Sequence, residues 1–211
     1  SVNGPVKVCA GSTTQAFVAN WQGHGFVSFE GTKSYLSMIQ DLRTVKSSTS
    51  WKTCGGCNVH TGFLQEWLSL EPCVKQVLTE LGSPAGSEIR VTGHSLGGAV
   101  CSLAMVALAT DGWHIKEAYN FGMPRAGDHL FSTTFNRLFS GRFFRVTHAM
   151  DPVPHVPPLE FGFEHVSDEV FYPGDVKAGY KVCKQVEDLN CSGQFWDVPR
   201  DVVHISDHSD Y

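Results

Sequence analysis

The sequence predicts an α/β fold, a mostly parallel central sheet with helices on both faces. Runs of β character alternate with runs of helical periodicity through the middle of the chain. A length of 211 residues suits one domain around one core, and a composition of 42% hydrophobic residues with 21 glycines and 10 prolines has no bias toward disorder, collagen or a coiled coil. With no repeat, low-complexity tract or linker, residues 1–211 are read as a single domain.

Taken in order, "QAFVANW" and "GFVSFEG", separated by Gln22, Gly23 and His24, read as a hairpin or adjacent strands. "TKSYLSMIQDLR" reads as a short helix or flap with an apolar side. From Phe63 the apolar positions Phe63, Trp67, Leu70, Val74, Val77, Leu78 and Leu81 recur at three and four, the spacing of one helix face. Pro72, which lacks an N–H, predicts a kink or break within that pattern. "EIRVTG" is then a strand, "AVCSLAMVALA" a buried helix, "KEAYNFG" a strand, "HLFSTTFNRLF" a helix and "RFFRVTHA" a strand. The tail from Pro152 mixes short strands with loops.

Charge and cysteines narrow the function classes. Sixteen basic against 21 acidic residues, a formal charge of −5, leave no basic stripe for a nucleic acid backbone. The longest apolar run, Ala99 to Ala109, is too short for a membrane core that needs about 20 residues. The chain starts without methionine or an apolar leader, as a processed or trimmed protein would. Among seven cysteines, the pairs in "CGGC" (Cys54, Cys57) and "CKQVEDLNC" (Cys183, Cys191) read as short-loop disulfides of a secreted protein. "NCS" at Asn190 is an N-glycosylation acceptor, which agrees. A zinc site at Cys54, Cys57 and His60 lacks a fourth ligand, so no metal is expected. Cys73 and Cys101 lie in apolar helical pattern, as buried thiols or a bridged pair, and leave Cys9 the odd one out.

The chemistry centres on "GHSLG", placed where a strand gives way to a helix. Glycines two residues either side of Ser95 allow the sharp turn of a nucleophile elbow, and the helix N-terminus favours negative charge beside it. A serine hydroxyl needs an imidazole to take its proton, and the imidazole needs a carboxylate to hold it. Asp151, after the strand "RFFRVTHA" and braced by the prolines of "DPVPHVPP", is the acid candidate, ahead of Asp128, which opens a helix as a cap, and Asp175. The order nucleophile, acid, base leaves His155, His165, His204 and His208; His155 sits in the Asp151 loop and His165 in a short strand, so the last loop offers His204 and His208. The oxyanion of a tetrahedral intermediate needs fixed donors, which the backbone N–H of Leu96 and the loop at Gly31 and Thr32 would supply.

These stretches together, "VTGHSLGGA", "FGMPRAGD", "DPVPHVPP" followed by "FGFEH", and "DHSDY", resemble the filamentous-fungal class 3 lipases of the α/β-hydrolase fold, a family that includes feruloyl esterases. The resemblance implies Ser95 as nucleophile, Asp151 as acid, His208 as base, and Thr32 with Leu96 as the oxyanion hole. It places the family's lid at Ser34, Tyr35, Leu36, Met38 and Ile39, and disulfides at Cys54 with Cys57 and Cys183 with Cys191. Glu30 stands where the family usually has arginine. Set against the family pattern, a first long helix is missing before Ser1, and the chain ends at Tyr211 ahead of a last cysteine that would pair with Cys9.

The expectation is a secreted, monomeric serine lipase that hydrolyses acylglycerol esters at a lipid–water interface without metal or cofactor, with an apolar lid suited to that interface. The alternatives are a soluble carboxylesterase such as a feruloyl esterase, and a non-catalytic binding module on the same fold.

Overall fold

The sheet opens with an antiparallel meander: β1 (Lys7–Ala10), β2 (Gln15–Trp21) and β3 (His24–Phe29), whose β2–β3 turn places Gln22 and Gly23 at φ 53° and 82°. This computed structural model describes residues 4–32, 44–166, 168–195 and 202–211, with only the backbone of 202 and 203. The lid expected at Ser34, Tyr35, Leu36, Met38 and Ile39 lies outside the described residues. After a small hairpin, β4 (Lys46–Ser48) with β5 (Asn58–His60), come α1 (Thr61–Glu80), β6 (Glu88–His94), α2 (Leu96–Thr110), β7 (His114–Phe121), α3 (His129–Phe139), β8 (Phe143–His148), β9 (Glu169–Tyr172) and β10 (Lys181–Cys183).

Eight strands form one sheet in the order β1-β2-β3-β6-β7-β8-β9-β10, parallel from β3 through β9. The alternation of strands places β3 Gly25 and Phe29, β6 Val91, β7 Asn120 and β8 Phe143 on one face. Among the described residues all three α-helices meet that face, where the sequence reading placed helices on both. Leu78 of α1 crowds Gly25, and Trp67 of α1 packs edge-on to Phe29. Gly98 of α2 accepts from Asn120 Nδ2 at 2.8 Å, and Phe135 of α3 packs on Phe143. The result is a buried core that runs from Val18 to Phe143.

The opposite face at the β7–β10 end is apolar and open among the described residues. Tyr119 stacks on Phe144 at 5.2 Å, and both line a groove of about 440 Å³ with Val146, Val170 and Tyr172. On the β3–β6 side Arg90 lies over the Trp21 ring.

Two further sequence expectations need correction. α1 runs unbroken through Pro72. The carbonyl that loses its partner there belongs to Leu68, an exposed residue, so water can serve it. The cysteine assignment also changes: Cys9 pairs with Cys73, Cys54 with Cys57 and Cys183 with Cys191, and Cys101 is the free, buried thiol. No further cysteine is needed for Cys9, because α1 packs against β1 and brings Cys73 to it. Burial among apolar side chains pushes the Cys101 thiol far above the usual range, which keeps it a small hydrophobe.

The Cys9–Cys73 bridge closes a loop of 64 residues between the edge of the sheet and α1. Loop-closure entropy assigns it about 4 kcal/mol. Urea unfolding of a Cys9→Ser/Cys73→Ser variant should show a loss of that size with activity retained.

Candidate active site

Ser95 follows β6 and caps α2 at φ 57°, ψ −130°, a conformation that a residue with a side chain adopts only where its surroundings impose it. Here the surroundings are backbone. A Cβ added to Gly93 would lie 2.7 Å from the Gly98 nitrogen, and one on Gly97 would lie 2.7 Å from the Glu30 carbonyl oxygen. Strand, helix and the loop after β3 therefore meet without side chains between them. The Ser95 N–H donates to the Phe121 carbonyl at 2.8 Å, which ties the turn to the end of β7.

The loop after β3 completes this side. Thr14 Oγ1 donates to the Glu30 carbonyl at 2.7 Å, and the Glu30 N–H donates to Gln15 O at 2.9 Å. A Cβ on Gly31 would lie 3.2 Å from that of Ser95, so the backbone leading to Thr32 runs directly against the serine. α2 begins at Leu96, whose N–H belongs to the first turn, beyond the reach of the helix's own carbonyls.

On the other side, Asp151 is buried after β8, and its Oδ1 accepts the Val153 N–H at 2.8 Å. Oδ2 accepts from His208 Nδ1 at 2.8 Å and from Tyr211 Oη at 2.5 Å. Donation through Nδ1 leaves the lone pair of the neutral imidazole on Nε2. The loop that carries His208 is anchored by Asp207, whose carboxylate accepts the Met150 N–H at 3.1 Å. Gly122, just after β7, makes room for the pair: a Cβ there would lie 2.8 Å from the His208 ring and 2.9 Å from Asp151 Oδ2. Ser95, Asp151 and His208 all have almost no exposed surface.

Serine after β6, acid after β8 and histidine in the last loop, gathered at the carboxyl ends of parallel strands, is the arrangement expected of the class 3 lipases. A family model described as lipase (class 3) matches residues 26–161, from β3 through the acid loop. The chain belongs to the class 3 lipase family.

Among relatives of this lipase-family chain, secreted mono- and diacylglycerol lipase 1 of Fusarium solani is 37% identical over 153 residues, 67% of this chain and 45% of that protein. The chain spans about half the length of the curated relatives it matches. A lipase from Rhizopus microsporus var. chinensis matches with TM-score 0.77 and 30% identity, over 96% of this chain and 72% of that one. A triacylglycerol lipase whose catalytic centre is formed by a serine protease triad matches with TM-score 0.77 and 27% identity, over 96% of this chain and 79% of that one.

Of the two histidines the last loop offers, the structure brings His208 to Asp151. Asp128 accepts the Phe131 N–H at 2.9 Å as the cap of α3, and Asp175 caps a short 3₁₀ turn by accepting from Lys177 N at 2.8 Å. His155 is buried within the acid loop itself, and His165 is buried outside any strand, with Nε2 donating to Pro154 of that loop. Among the described residues no cluster of metal-ligating side chains is present.

Sequence reasoning missed three contributors. Tyr211 was part of the "DHSDY" stretch without a role. Burial and the Asp151 charge raise its phenol well above the usual range, so it stays a donor to that carboxylate. His94, set aside as a base by chain order, donates from Nε2 to the His208 carbonyl at 2.8 Å, and its ring lies 4.6 Å from the His208 ring. Burial, then the neighbouring His208 charge, lowers its pKa. Gly122 carried a signal only in being a glycine directly after a strand.

Two measurements follow from this network. Tyr211→Phe removes a hydrogen bond to a charged group, so kcat should fall roughly tenfold with KM unchanged in steady-state assays. Burial, then the Arg125 charge, lowers the His155 pKa to about 4. Its folded pKa lies below its unfolded one, so the stability it contributes is complete above pH ~6.5 and lost as pH falls toward 4. Denaturant midpoints should report a loss on the order of 3 kcal/mol across that window, with a shallower slope in His155→Gln.

Proposed function

We propose that this chain is a secreted serine lipase that hydrolyses acylglycerol esters through an acyl-enzyme, as one α/β-hydrolase domain of residues 1–211. The observation that carries the reading is the 2.8 Å bond between Asp151 and His208, buried beside the elbow that holds Ser95. His208 Nε2 takes the Ser95 proton as the hydroxyl oxygen attacks the ester carbonyl. Asp151 holds the imidazolium through Nδ1, and the Leu96 N–H with Thr32 receives the oxyanion. His208 then gives the proton to the leaving glycerol oxygen, and a water activated by the same nitrogen releases the fatty acid. No step needs a metal or cofactor.

The substrate class is supported by the relatives' designation as mono- and diacylglycerol lipases, and export by their designation as secreted. Three disulfides and an exposed Asn190 in "NCS" accord with an oxidising compartment and with glycosylation there. The apolar side chains Tyr35, Leu36, Met38 and Ile39 suit contact with a lipid surface, as in the lid the resemblance assigns to that stretch. No helix among the described residues is long and apolar enough to cross a membrane. The protein acts as a monomer.

The test is the initial rate on p-nitrophenyl esters of increasing acyl length, below and above micelle formation, and on diacylglycerol emulsions. Turnover of long chains should rise once an interface forms, and Ser95→Ala should lose at least a factor of about 10⁴. Turnover of soluble aryl esters alone would replace the lipase with an esterase. Activity that survives Ser95→Ala would overturn the mechanism.

A further inference from the structure

The acid loop has an unusual supply problem. In "DPVPHVPP" the prolines 152, 154, 157 and 158 have no N–H, so the loop cannot be stitched to its surroundings by its own donors. Its internal bonds are few: His155 N donates to Pro152 O at 3.1 Å, and Val156 N to Val153 O at 3.1 Å. Whatever holds Asp151 in register with His208 must reach the loop's carbonyls from outside.

Four consecutive carbonyls are reached in this way. Pro154 O accepts from His165 Nε2 at 2.6 Å. His155 O and Pro157 O accept from Arg125 Nη1 at 2.6 and 2.9 Å, and Val156 O accepts the Arg125 backbone N–H at 2.8 Å. The rest of the guanidinium faces away from the loop and is gripped by Glu187, with Nε to Oε1 and Nη2 to Oε2 both at 2.8 Å. Glu187 Oε1 also accepts the His165 N–H at 2.9 Å, so both residues that hold the loop are held by the same carboxylate. Arg125 is fully buried. Burial alone would raise the Glu187 carboxyl, but the Arg125 hydrogen bonds and the charges of His165 and Arg125 outweigh it and hold it well below the usual carboxylate range.

Glu187 lies at φ 54°, a conformation a side-chain-bearing residue seldom adopts, inside the loop closed by Cys183–Cys191. That disulfide packs with Phe171 and Phe195 at the far end of the sheet.

We propose that Arg125 and Glu187 are positioning residues for the Asp151 loop, and that the Cys183–Cys191 bridge acts on catalysis by fixing Glu187 under the Arg125 guanidinium. This rests on the reading of Asp151 as the catalytic acid. The bridge closes only a short loop, with a separation of 8 residues, so its effect on the reaction runs through the register of one carboxylate. Opening this buried bridge at the edge strand lowers turnover while the fold persists.

The test compares wild type, Glu187→Gln, Cys183→Ser/Cys191→Ser and the combined variant on one soluble short-chain ester, with active sites counted by burst amplitude. Glu187→Gln should lower kcat about tenfold with KM within twofold. The cysteine variant should act in the same direction. The combined variant should lose no more than about the larger single loss, because both act through one contact.

Cys9→Ser/Cys73→Ser serves as the control for lost stability alone, and should keep wild-type kcat per active site. If Glu187→Gln is less stable but retains wild-type kcat per active site, or if the two losses simply multiply, the positioning role is overturned. Asp151→Asn separates this from the underlying assignment. An unimpaired Asp151→Asn enzyme would remove the acid and the clamp's function together, whereas an impaired one beside an unimpaired Glu187→Gln removes the clamp alone.

Discussion

The rest of the site depends on one close approach, the contact between bare backbone at Gly93, Gly97 and the carbonyls of Phe29 and Glu30. Because no side chain separates these segments, β6 can turn directly into α2 through Ser95 at φ 57°, and the loop after β3 can lie against the serine. The same approach aligns three sources of chemistry: a hydroxyl, the first N–H groups of a helix, and a loop leading to Thr32. A Cβ at either glycine would meet backbone at 2.3 Å, closer than real side chains approach, so strand, helix or loop would have to move.

Around that turn the protein builds in layers of hydrogen bonds that converge on one carboxylate. Asp151 takes bonds from Val153, His208 and Tyr211. The loop behind it takes bonds from Arg125 and His165, and those two are joined by Glu187. Each layer answers a need created by the layer before. The proline-rich loop is stiff but short of donors, a buried guanidinium supplies them, and a buried guanidinium needs a carboxylate of its own. The cost of burying these polar groups is offset where donor and acceptor meet, as between Arg125 and Glu187.

The disulfides follow the same logic of holding what the core cannot. The core lies between one face of the sheet and three helices. Cys9–Cys73 ties the sheet's antiparallel edge to α1, and Cys183–Cys191 ties off its other edge, where the strands shorten and packing thins. Both edges lie far from Ser95 along the sheet, yet the second reaches the site through Glu187.

Much of this was legible in the sequence. Alternation and helical spacing located β3, β6, β7 and β8 and the three helices among the described residues, because local apolar periodicity reports which face an element buries, whereas β9 lay in a tail read only as short strands and loops. The turn at Ser95 and the meeting of Asp151 with a histidine of the last loop were legible because chain order constrains which loops can meet at the ends of parallel strands. Chain order could not separate His204 from His208; the resemblance to a family did, and in the structure only the second touches Asp151. Pairing across long sequence distance was decided by packing alone. Cys9 finds Cys73 because α1 lies on β1, Pro72 is tolerated because Leu68 faces water, and Tyr211, His94 and Gly122 gain their places from proximity that no spacing rule encodes. The sequence by itself determined which residues are candidates for the chemistry. Only the tertiary structure decided which buried donors serve each acceptor, because that depends on distances between segments far apart in the chain.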